Sequence, residues 1–489
     1  MSLAGEKDDR NVRRMQVNKT THKRQPIRFV AVVMGVLATL PIGVAAQPTV
    51  YSVGVCGTFT NIQDAIDAAV VGSETEVRVQ GEATYLEALH FPKAFAAGSI
   101  RVTGGWDCTF STVDGEPEAT VVDAGGAGSA ARIRIGGGSL YLGGLTLTGG
   151  QAEKGAGAQI LLDGDAAVVL EHLRVVENTA TSAGSIFGGG ISADLDGFES
   201  LEIRDVTLYD NQAISDGQAA VYGGGVAIVG SDSASFLIED CHVSGNRISS
   251  FAGNVLGGGV HLETLHSAQG QMTDCTILDN VAAGDLEIAT GVHVKSSQSS
   301  ELAVERTLLV GNHSDGVGAG PQVRVSAHNI STLWVRDSGI VKGDYRGLYA
   351  RPIDGAQVHL TNLTVADHPD TGLVVTPYEL GEASVYNSLV FGNAVEADIN
   401  PAVDIGSNLI GVDPLFVDPV NLDYHLQTGS PVIDAGDNDP PGGLGEKDLD
   451  GAQRIMDDIV DIGMYETPGA FFQDGFETGD CTKWSLEIP

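Results

Sequence analysis

Apolar and polar positions repeat along the middle of the chain with a period near 34 residues. Glycine triplets at 188–190, 223–225 and 257–259, each followed by an apolar residue, recur at spacings of 35 and 34. An Asn also closes one apolar stretch per unit, at spacings of 33, 35, 34 and 32; these residues are Asn178, Asn211, Asn246, Asn280 and Asn312. A fixed period of this length predicts a stack of similar structural units.

Inside each unit the apolar positions alternate with a period of two, which is typical of β-strands. Counting back from each Asn, apolar or small residues fill the positions three, five and eight before it. The step of three between the last two positions marks a bend between two short strands, and the strand after each glycine triplet is the third. Ankyrin or tetratricopeptide arrays would need helical spacing, which is absent. The pattern predicts a single-stranded parallel β-helix, an all-β solenoid.

Residues of one column become neighbours about 4.8 Å apart when such units stack. The Asn column is therefore predicted to form a buried ladder of side-chain amides. Asp205, Asp240 and Asp274 form a second column, at the bend. Three carboxylates this close repel one another, so a bound calcium ion is one hypothesis for them. The alternative is that each Asp simply hydrogen-bonds the backbone of its turn.

Motifs near both ends resemble known β-helix families. The segments 60–66 (TNIQDAI), 77–79 (VRV), 104–107 (GGWD) and 144–150 (GLTLTGG) resemble the pectate-lyase-like superfamily, which implies a right-handed β-helix. Residues 413–418, 429–436 and 460–466 resemble the C-terminal part of bacterial secreted "choice-of-anchor" β-helix proteins. Since open ends of a solenoid need caps, the helical spacing of residues 61–71 predicts an N-terminal helical cap.

Candidate chemistry is confined to outward-facing columns, because the sequence contains no short catalytic motif. His261, Glu263, His293, Lys295 and Arg324 share one predicted patch on three successive turns after the glycines. Some alginate and chondroitin lyases of the resembled fold use Lys, Arg and a Glu-bound calcium, so the resemblance implies uronate elimination as one function. The alternative is a solvated strand face without chemistry. Convergence of these side chains into a cleft would favour the enzyme.

The glycine triplets suggest a different kind of site. Stacked triplets would leave a strip of bare backbone beside the patch, and the loops 179–187, 212–222 and 247–256 emerge along the same edge. A strip walled by aligned loops would suit an extended glycan. The alternative is that glycine is needed only for unusual φ values where each loop re-enters a strand.

Charge restricts the partners. Lys and Arg total 27 against 64 Asp and Glu, a formal net charge of −37, which argues against nucleic acid and anionic membranes as partners.

Residues 1–46 combine a basic stretch, an apolar run and a Val-Ala-Ala end, which predicts a signal peptide cleaved after Ala46. No later apolar run is long enough to span a membrane. We therefore expect an exported, secreted or cell-surface-associated protein.

Five regions follow from these patterns: a signal peptide (1–46), an N-terminal cap with the first turns (47–150), repeats (151–400), an acidic C-terminal cap (401–466) and a tail (467–489). A disulfide is predicted between Cys56 and Cys108, because both lie in the exported cap region away from the repeats. Cys241 and Cys275, in one inward column, are predicted to be buried thiols.

The abundance of loops and repeats favours a non-catalytic protein that binds polysaccharide or a cell-surface glycan and requires no cofactor. The alternative is a calcium-assisted polysaccharide lyase that uses the patch on the glycine-started strand.

Overall fold

The computed structural model describes residues 47–69, 72–92, 98–113, 116–316, 318–456 and 458–468. The predicted signal peptide (1–46) lies outside the described residues, as do residues 469–489 of the predicted tail, including Cys481. No helix in the described ranges is long and apolar enough to cross a bilayer.

Two long parallel sheets form the body of the molecule. In the described residues, sheet I has 22 strands and sheet II has 11. The strands of sheet I are Thr49–Val53, Glu74–Gln80, Ala83–Leu86, Ser99–Trp106, Thr120–Asp123, Ser139–Thr148, Ala167–Val176, Ser200–Tyr209, Ser235–Glu239, His242–Ser244, Gln269–Thr273, Thr276–Leu278, Glu301–Glu305, Leu308–Val310, Thr332–Arg336, Gly339–Val341, Gln357–Thr361, Thr364–Ala366, Glu382–Tyr386, Leu389–Phe391, Asp404–Gly406 and Leu409–Ile410. The strands of sheet II are Leu89–Phe91, Ala131–Ile135, Ala158–Leu162, Ile191–Gly197, Val226–Asp232, Val260–Thr264, Val292–Ser297, Val323–His328, Leu348–Ile353, Thr371–Val375 and Val395–Ile399.

Smaller elements lie beside these sheets. Sheet III consists of Gln151–Ala152, Thr179–Ser182, Gln212–Ser215, Arg247–Ser250, Val281–Ala283 and His313–Ser314. Sheet IV consists of Ile186–Phe187, Val221–Tyr222, Val255–Leu256 and Ile288–Ala289. Sheet V is an antiparallel pair, Phe416–Asp418 with Asp423–Leu426. Within the described ranges the helices are α1 (Ile62–Asp67) and the 3₁₀ turns Pro117–Ala119 and Pro419–Asn421.

Successive turns stack in register, so that similar residues of adjacent turns lie next to each other. Val226 pairs with Val260, Val260 with Val292, and Val292 with Val323. These inward side chains are at most 1% exposed, and they belong to one apolar core that runs the length of the stack. The parallel β-helix predicted from the period of 34 residues is confirmed.

The predicted Asn ladder is also confirmed. The side-chain Nδ2 of each Asn donates to the Oδ1 of the Asn on the next turn, at 2.9–3.0 Å from Asn178 through Asn312. Asn312 in turn donates to Oε1 of Gln322 at 2.9 Å. All five Asn residues are fully buried. The ladder satisfies buried polar groups that would otherwise destabilise the fold.

The bend of each turn requires a left-handed backbone. His172, Asp205, Asp240 and Asp274 have φ values of 50–55°, and the same column continues through Arg306 (φ 40°). Its later members are Asp337, Asn362 and Asn387, with φ values of 50–54°. Asp and Asn are among the non-glycine residues that adopt this conformation most readily. The preference accounts for much of the Asp and Asn in the column.

The N-terminal helix α1 buries Ile62, Ala65 and Ile66 against the first turn. The Glu87 carboxylate accepts hydrogen bonds from the backbone N–H of Ile62 (2.8 Å) and of Gln63 (2.9 Å). A negative charge at a helix N-terminus satisfies free N–H groups and favours the helix dipole. The predicted helix in 61–71 therefore forms, although it ends at Asp67.

Cys56 and Cys108 are joined in a disulfide, with Cα atoms 5.4 Å apart.

The acidic C-terminal region runs back along the outside of the stack. Phe416, Tyr424, Val432, Ile462 and Met464 form an apolar cluster with outward-facing residues of four turns of sheet I. The bend column holds the same region by hydrogen bonds: Nδ2 of Asn362 donates to the Asp461 carbonyl (3.0 Å), and Nδ2 of Asn387 donates to the Asp437 carbonyl (2.8 Å). The region is therefore fixed by long-range contacts rather than by a repeat.

The cysteines of the repeat are free, buried thiols, each 2% exposed. The Sγ of Cys241 lies 3.3 Å from the Glu239 carbonyl oxygen, and the Sγ of Cys275 lies 3.1 Å from that of Thr273. We expect the double substitution Cys241→Val, Cys275→Val to lower the free energy of unfolding by less than about 1.5 kcal/mol, because it keeps apolar volume and loses only weak hydrogen bonds. Chemical denaturation measures this, and a loss of several kcal/mol would mean that the pair is cross-linked.

Candidate functional site

The loops before the glycine triplets fold into a side wall. Their short strands form sheets III and IV, which stack in register with the main sheets. The wall has a small core of its own, distinct from that of the stack, made of Ala156, Ala180, Ile186, Ala213, Val221, Ile248, Val255, Ala282 and Ile288. A wall with its own core holds its side chains in fixed positions against the outer face of sheet II.

Where the wall meets sheet II, the two line a partly open cavity of about 260 Å³. All five candidate residues line it: His261, Glu263, His293, Lys295 and Arg324. The predicted columns are confirmed, since His261 pairs with His293 and Glu263 with Lys295, and His293 pairs with Arg324. We call this cavity and its lining the cavity site.

Two ion pairs organise the charges of the cavity site. Nζ of Lys295 lies 2.7 Å from Oε1 of Glu263, and Nη2 of Arg324 lies 2.9 Å from Oε1 of Glu287. The Glu263 side chain is only 15% exposed, whereas that of Lys295 is 37% exposed. Burial favours a higher pKa for Glu263, but the neighbouring His261 ring and the Lys295 ammonium favour the charged carboxylate, outweigh burial and lower the pKa to about 2. Glu263 is therefore a carboxylate.

The two histidines are buried although their column faces away from the core. Phe187, Tyr222, His261 and His293 form a continuous row of rings along the stack, with neighbouring centroids 4.7, 4.7 and 4.9 Å apart. His261 is 0% and His293 4% exposed, because the wall covers them. Burial lowers the pKa of both, and for His293 the nearby His261, Arg324 and Lys295 lower it further. Burial therefore favours the neutral form of both rings.

Sequence reasoning missed four titratable residues of the cavity site: Tyr222, Glu287, His328 and Arg351. Arg351 extends the column of Glu263 and Lys295 by two turns and could have been found there, because Ser326 pairs with it in register. Tyr222 and Glu287 belong to the wall, whose short strands carry too few residues to show a period. Arg351 stacks over the ring of Tyr378, 5.6 Å from its centroid.

The glycine triplets are not an exposed binding strip, so that hypothesis is wrong. All nine glycines are buried beneath the wall. The first of each triplet, Gly188, Gly223 and Gly257, has a φ of 63–77°, which favours glycine. The third is in close contact with the next turn: a Cβ on Gly190 would lie 2.7 Å from the Gly225 carbonyl oxygen. Glycine is needed here for backbone conformation and close stacking.

The Asp column lies at the left-handed bend of sheet I. Asp274 accepts two hydrogen bonds from Arg306, at 2.9 and 3.0 Å, and Asp205 lies 2.9 Å from Nδ1 of His172. These contacts and the backbone conformation give the column a structural role. Among the described residues, no group of three His, Cys, Asp or Glu side chains is close enough together to hold a metal ion. Calcium binding by Asp205, Asp240 and Asp274 stays a prediction.

Comparison with known proteins adds little to this description. No protein-family model matches the sequence, and no curated protein is significantly similar to it. Among solved structures, the crystal structure of pectate lyase Pel9A is similar, with a TM-score of 0.47 and 11% sequence identity over 87% of this chain and 97% of that chain. The β-helix assignment follows from the strand pairing itself.

Proposed function

We propose that the protein is an exported, non-catalytic β-helix protein that binds an acidic glycan in the cavity site. The observation that carries the proposal is the convergence of Lys295, Arg324 and Arg351, from three successive turns, on one cavity of a strongly acidic molecule. Cationic side chains held this close together are suited to a carboxylate, and arginine binds carboxylates with two parallel hydrogen bonds. Within the cavity these three cations outnumber the two glutamates, Glu263 and Glu287, so the local charge favours an anion although the net charge repels it at longer range.

Arg351 is the residue best placed to bind a ligand anion. Among the described residues, no carboxylate lies within ion-pair distance of it, whereas Lys295 and Arg324 each pair with a glutamate of the cavity site. Those two pairs also bear on catalysis: Lys295 is paired with Glu263 and Arg324 with Glu287, so neither candidate base is free for proton abstraction and Glu263 is not free for calcium. This arrangement supports binding over elimination.

The second candidate function is calcium-assisted polysaccharide lyase activity. The observation in its favour is that His261, Glu263, His293, Lys295 and Arg324 converge in a cleft, where an acid, a base and a cation would all be within reach of one sugar. In that function Lys295 or Arg324 would take the C5 proton, a histidine would protonate the leaving oxygen, and Glu263 would help to hold calcium.

Titration calorimetry with polyuronate oligomers tests the binding proposal. We expect binding that weakens as salt is added, and we expect Arg351→Ala to reduce the affinity about tenfold or more, because a charge-assisted hydrogen bond contributes about 1.5–3 kcal/mol. Arg134→Ala is the matched control, since Arg134 is an exposed arginine in the same outward column of sheet II, away from the cavity site. Equal affinity of the two variants would contradict the proposal.

The same oligomers separate the two functions. Wild-type protein is incubated with them, with and without calcium, and the ultraviolet absorbance of unsaturated uronate is followed. The binding proposal predicts no increase. An increase that Lys295→Ala abolishes, while the oligomer still binds, would assign the lyase function instead.

A further inference from the structure

His261 and His293 share a hydrogen bond that fixes how protons are distributed between them. Their Nδ1 atoms lie 2.9 Å apart in nearly parallel rings. A neutral imidazole has one N–H and one lone pair, so one Nδ1 donates and the other accepts. The two rings must therefore be opposite tautomers, and a third group decides which ring is which.

That group is Glu263. Its Oε2 lies 3.7 Å from Nε2 of His261, while its Oε1 accepts from Lys295 at 2.7 Å. A carboxylate has only lone pairs, so it favours a proton on the nitrogen that faces it. His261 then carries its proton on Nε2, its Nδ1 becomes the acceptor, and His293 must donate from its own Nδ1.

We propose that Glu263, acting through His261, holds His293 in the Nδ1–H tautomer, so that Nε2 of His293 is a hydrogen-bond acceptor for a ligand hydroxyl group. His293 lines the cavity site, and among the described residues no group hydrogen-bonds its Nε2. This inference deepens the proposed function and rests on it for the ligand. Glu263 and His261 are positioning residues, and His293 is the residue that contacts the ligand.

The fixed tautomer gives the cavity site a hydrogen-bond acceptor, which its cations cannot provide. Lysine and arginine only donate hydrogen bonds, so Lys295, Arg324 and Arg351 recognise the carboxylate of an acidic sugar but not its hydroxyl donors. A fixed acceptor among them recognises a hydroxyl next to the carboxylate. The ligand class is therefore a hydroxy acid, such as a uronate with a free hydroxyl, rather than a simple carboxylate or sulfate.

The surroundings keep the histidine pair neutral, as the proposal requires. The charged and titratable groups that line the cavity around it are Lys295, Arg324, Arg351 and His328 on sheet II, Glu263 on the same sheet, and Tyr222 and Glu287 in the wall. Burial and the neighbouring cations both disfavour an imidazolium at His293.

Tautomer-resolved nuclear magnetic resonance of protein labelled with ¹⁵N-histidine tests the proposal. In the wild type we expect His293 as the Nδ1–H form and His261 as the Nε2–H form. In Glu263→Met, which removes the carboxylate that faces Nε2 of His261, we expect both rings to exchange between the two forms. The control is Glu287→Gln, which alters the other carboxylate of the cavity and should leave the tautomers unchanged. Circular dichroism verifies that each variant folds.

Reversed tautomers in the wild type, or unchanged tautomers in folded Glu263→Met, would overturn the inference. Titration with a uronate oligomer then separates it from the proposed function. The predicted tautomers without any ligand-induced shift would leave the inference standing and refute the binding proposal. Binding of the oligomer to a protein with reversed tautomers would support the binding proposal and overturn the inference. If both hold, His293→Phe should weaken uronate binding roughly tenfold, because a ligand hydroxyl loses its partner.

Discussion

Replacing Asn246 with Leu is expected to lower the free energy of unfolding by about 2–6 kcal/mol. The Asn246 amide donates to the carbonyls of Leu208 and Ser244 and to Oδ1 of Asn280, and its Oδ1 accepts from both the backbone and the side chain of Asn211. Leu is similar in size but leaves several of these buried groups without partners, each at a cost of about 1–3 kcal/mol. Thermal and chemical denaturation measure the loss.

The control for this change is Asn254→Leu. Asn254 is only partly buried, and its amide has one long contact, 3.4 Å from Glu287. We expect a loss below about 1 kcal/mol for it. Hydrogen exchange gives a second measurement: because each turn contacts only its neighbours, protection in Asn246→Leu should fall around Asn211 and Asn280 and persist at distant turns. A loss in Asn246→Leu as small as that in Asn254→Leu would show that the ladder contributes little.

The body of the stack could be predicted because one rule converts its sequence into contacts. Once the period is known, each residue lies next to its counterpart one turn away, and the structure confirms this for Val260 with Val292 and for His261 with His293. The five candidate residues of the cavity site were found by the same rule. It translates sequence columns directly into spatial neighbours, so no knowledge of the loops was needed.

The side wall and the C-terminal region could not be predicted in this way. Strands of the wall such as Val221–Tyr222 are two residues long, too short for a period to be visible. As a result, the burial of the histidines and of the glycine triplets went unrecognised. The C-terminal region is fixed by contacts between residues far apart in sequence, such as Asn362 with Asp461. Such pairings depend on shape and charge complementarity, which a single sequence does not reveal.

The tautomer of His293 illustrates a further limit. The sequence places Glu263, His261 and His293 in adjacent columns, but it cannot say that the two rings meet through their Nδ1 atoms. The distances in the structure decide which nitrogen is the acceptor, and this decides whether the cavity site recognises only an anion or an anion beside a hydroxyl.

One buried arginine adds to the contacts that dock the C-terminal region on the stack. Nε of Arg454 lies 3.0 Å from Oδ1 of Asp337, its Nη1 lies 3.9 Å from Oε2 of Glu466, and its Nη2 donates to the Gly463 carbonyl. Arg454 is 2% exposed and Asp337 0%. Burial raises the pKa of Asp337 to about 6 and that of Glu466, with help from the charge of Asp461, to about 8, although Arg454 opposes both shifts.

We therefore expect Arg454→Met to destabilise the docked region by about 3–5 kcal/mol, because it removes the positive charge in direct contact with two buried carboxyl groups. The loss should depend on pH. Both carboxyl groups have a higher pKa in the folded state than in the unfolded state, so their protonation stabilises the fold. This stabilisation is complete below the unfolded pKa, near 4, and is lost as the pH rises through the folded pKa. Removing the arginine raises these pKa values further. The variant should thus be closest to wild type at about pH 5 and furthest from it at about pH 8.

Limited proteolysis and melting curves at the two pH values measure this, with Arg134→Met as the control because Arg134 is exposed. Adding Asp337→Asn to Arg454→Met should restore part of the stability. Asn keeps the left-handed bend, as Asn362 and Asn387 do on the next two turns, and it removes the buried charge. If the double variant were no more stable than Arg454→Met, or if the loss were the same at both pH values, the unpaired carboxylate would not be the cause. The arginine would then act through packing and its bond to the Gly463 carbonyl.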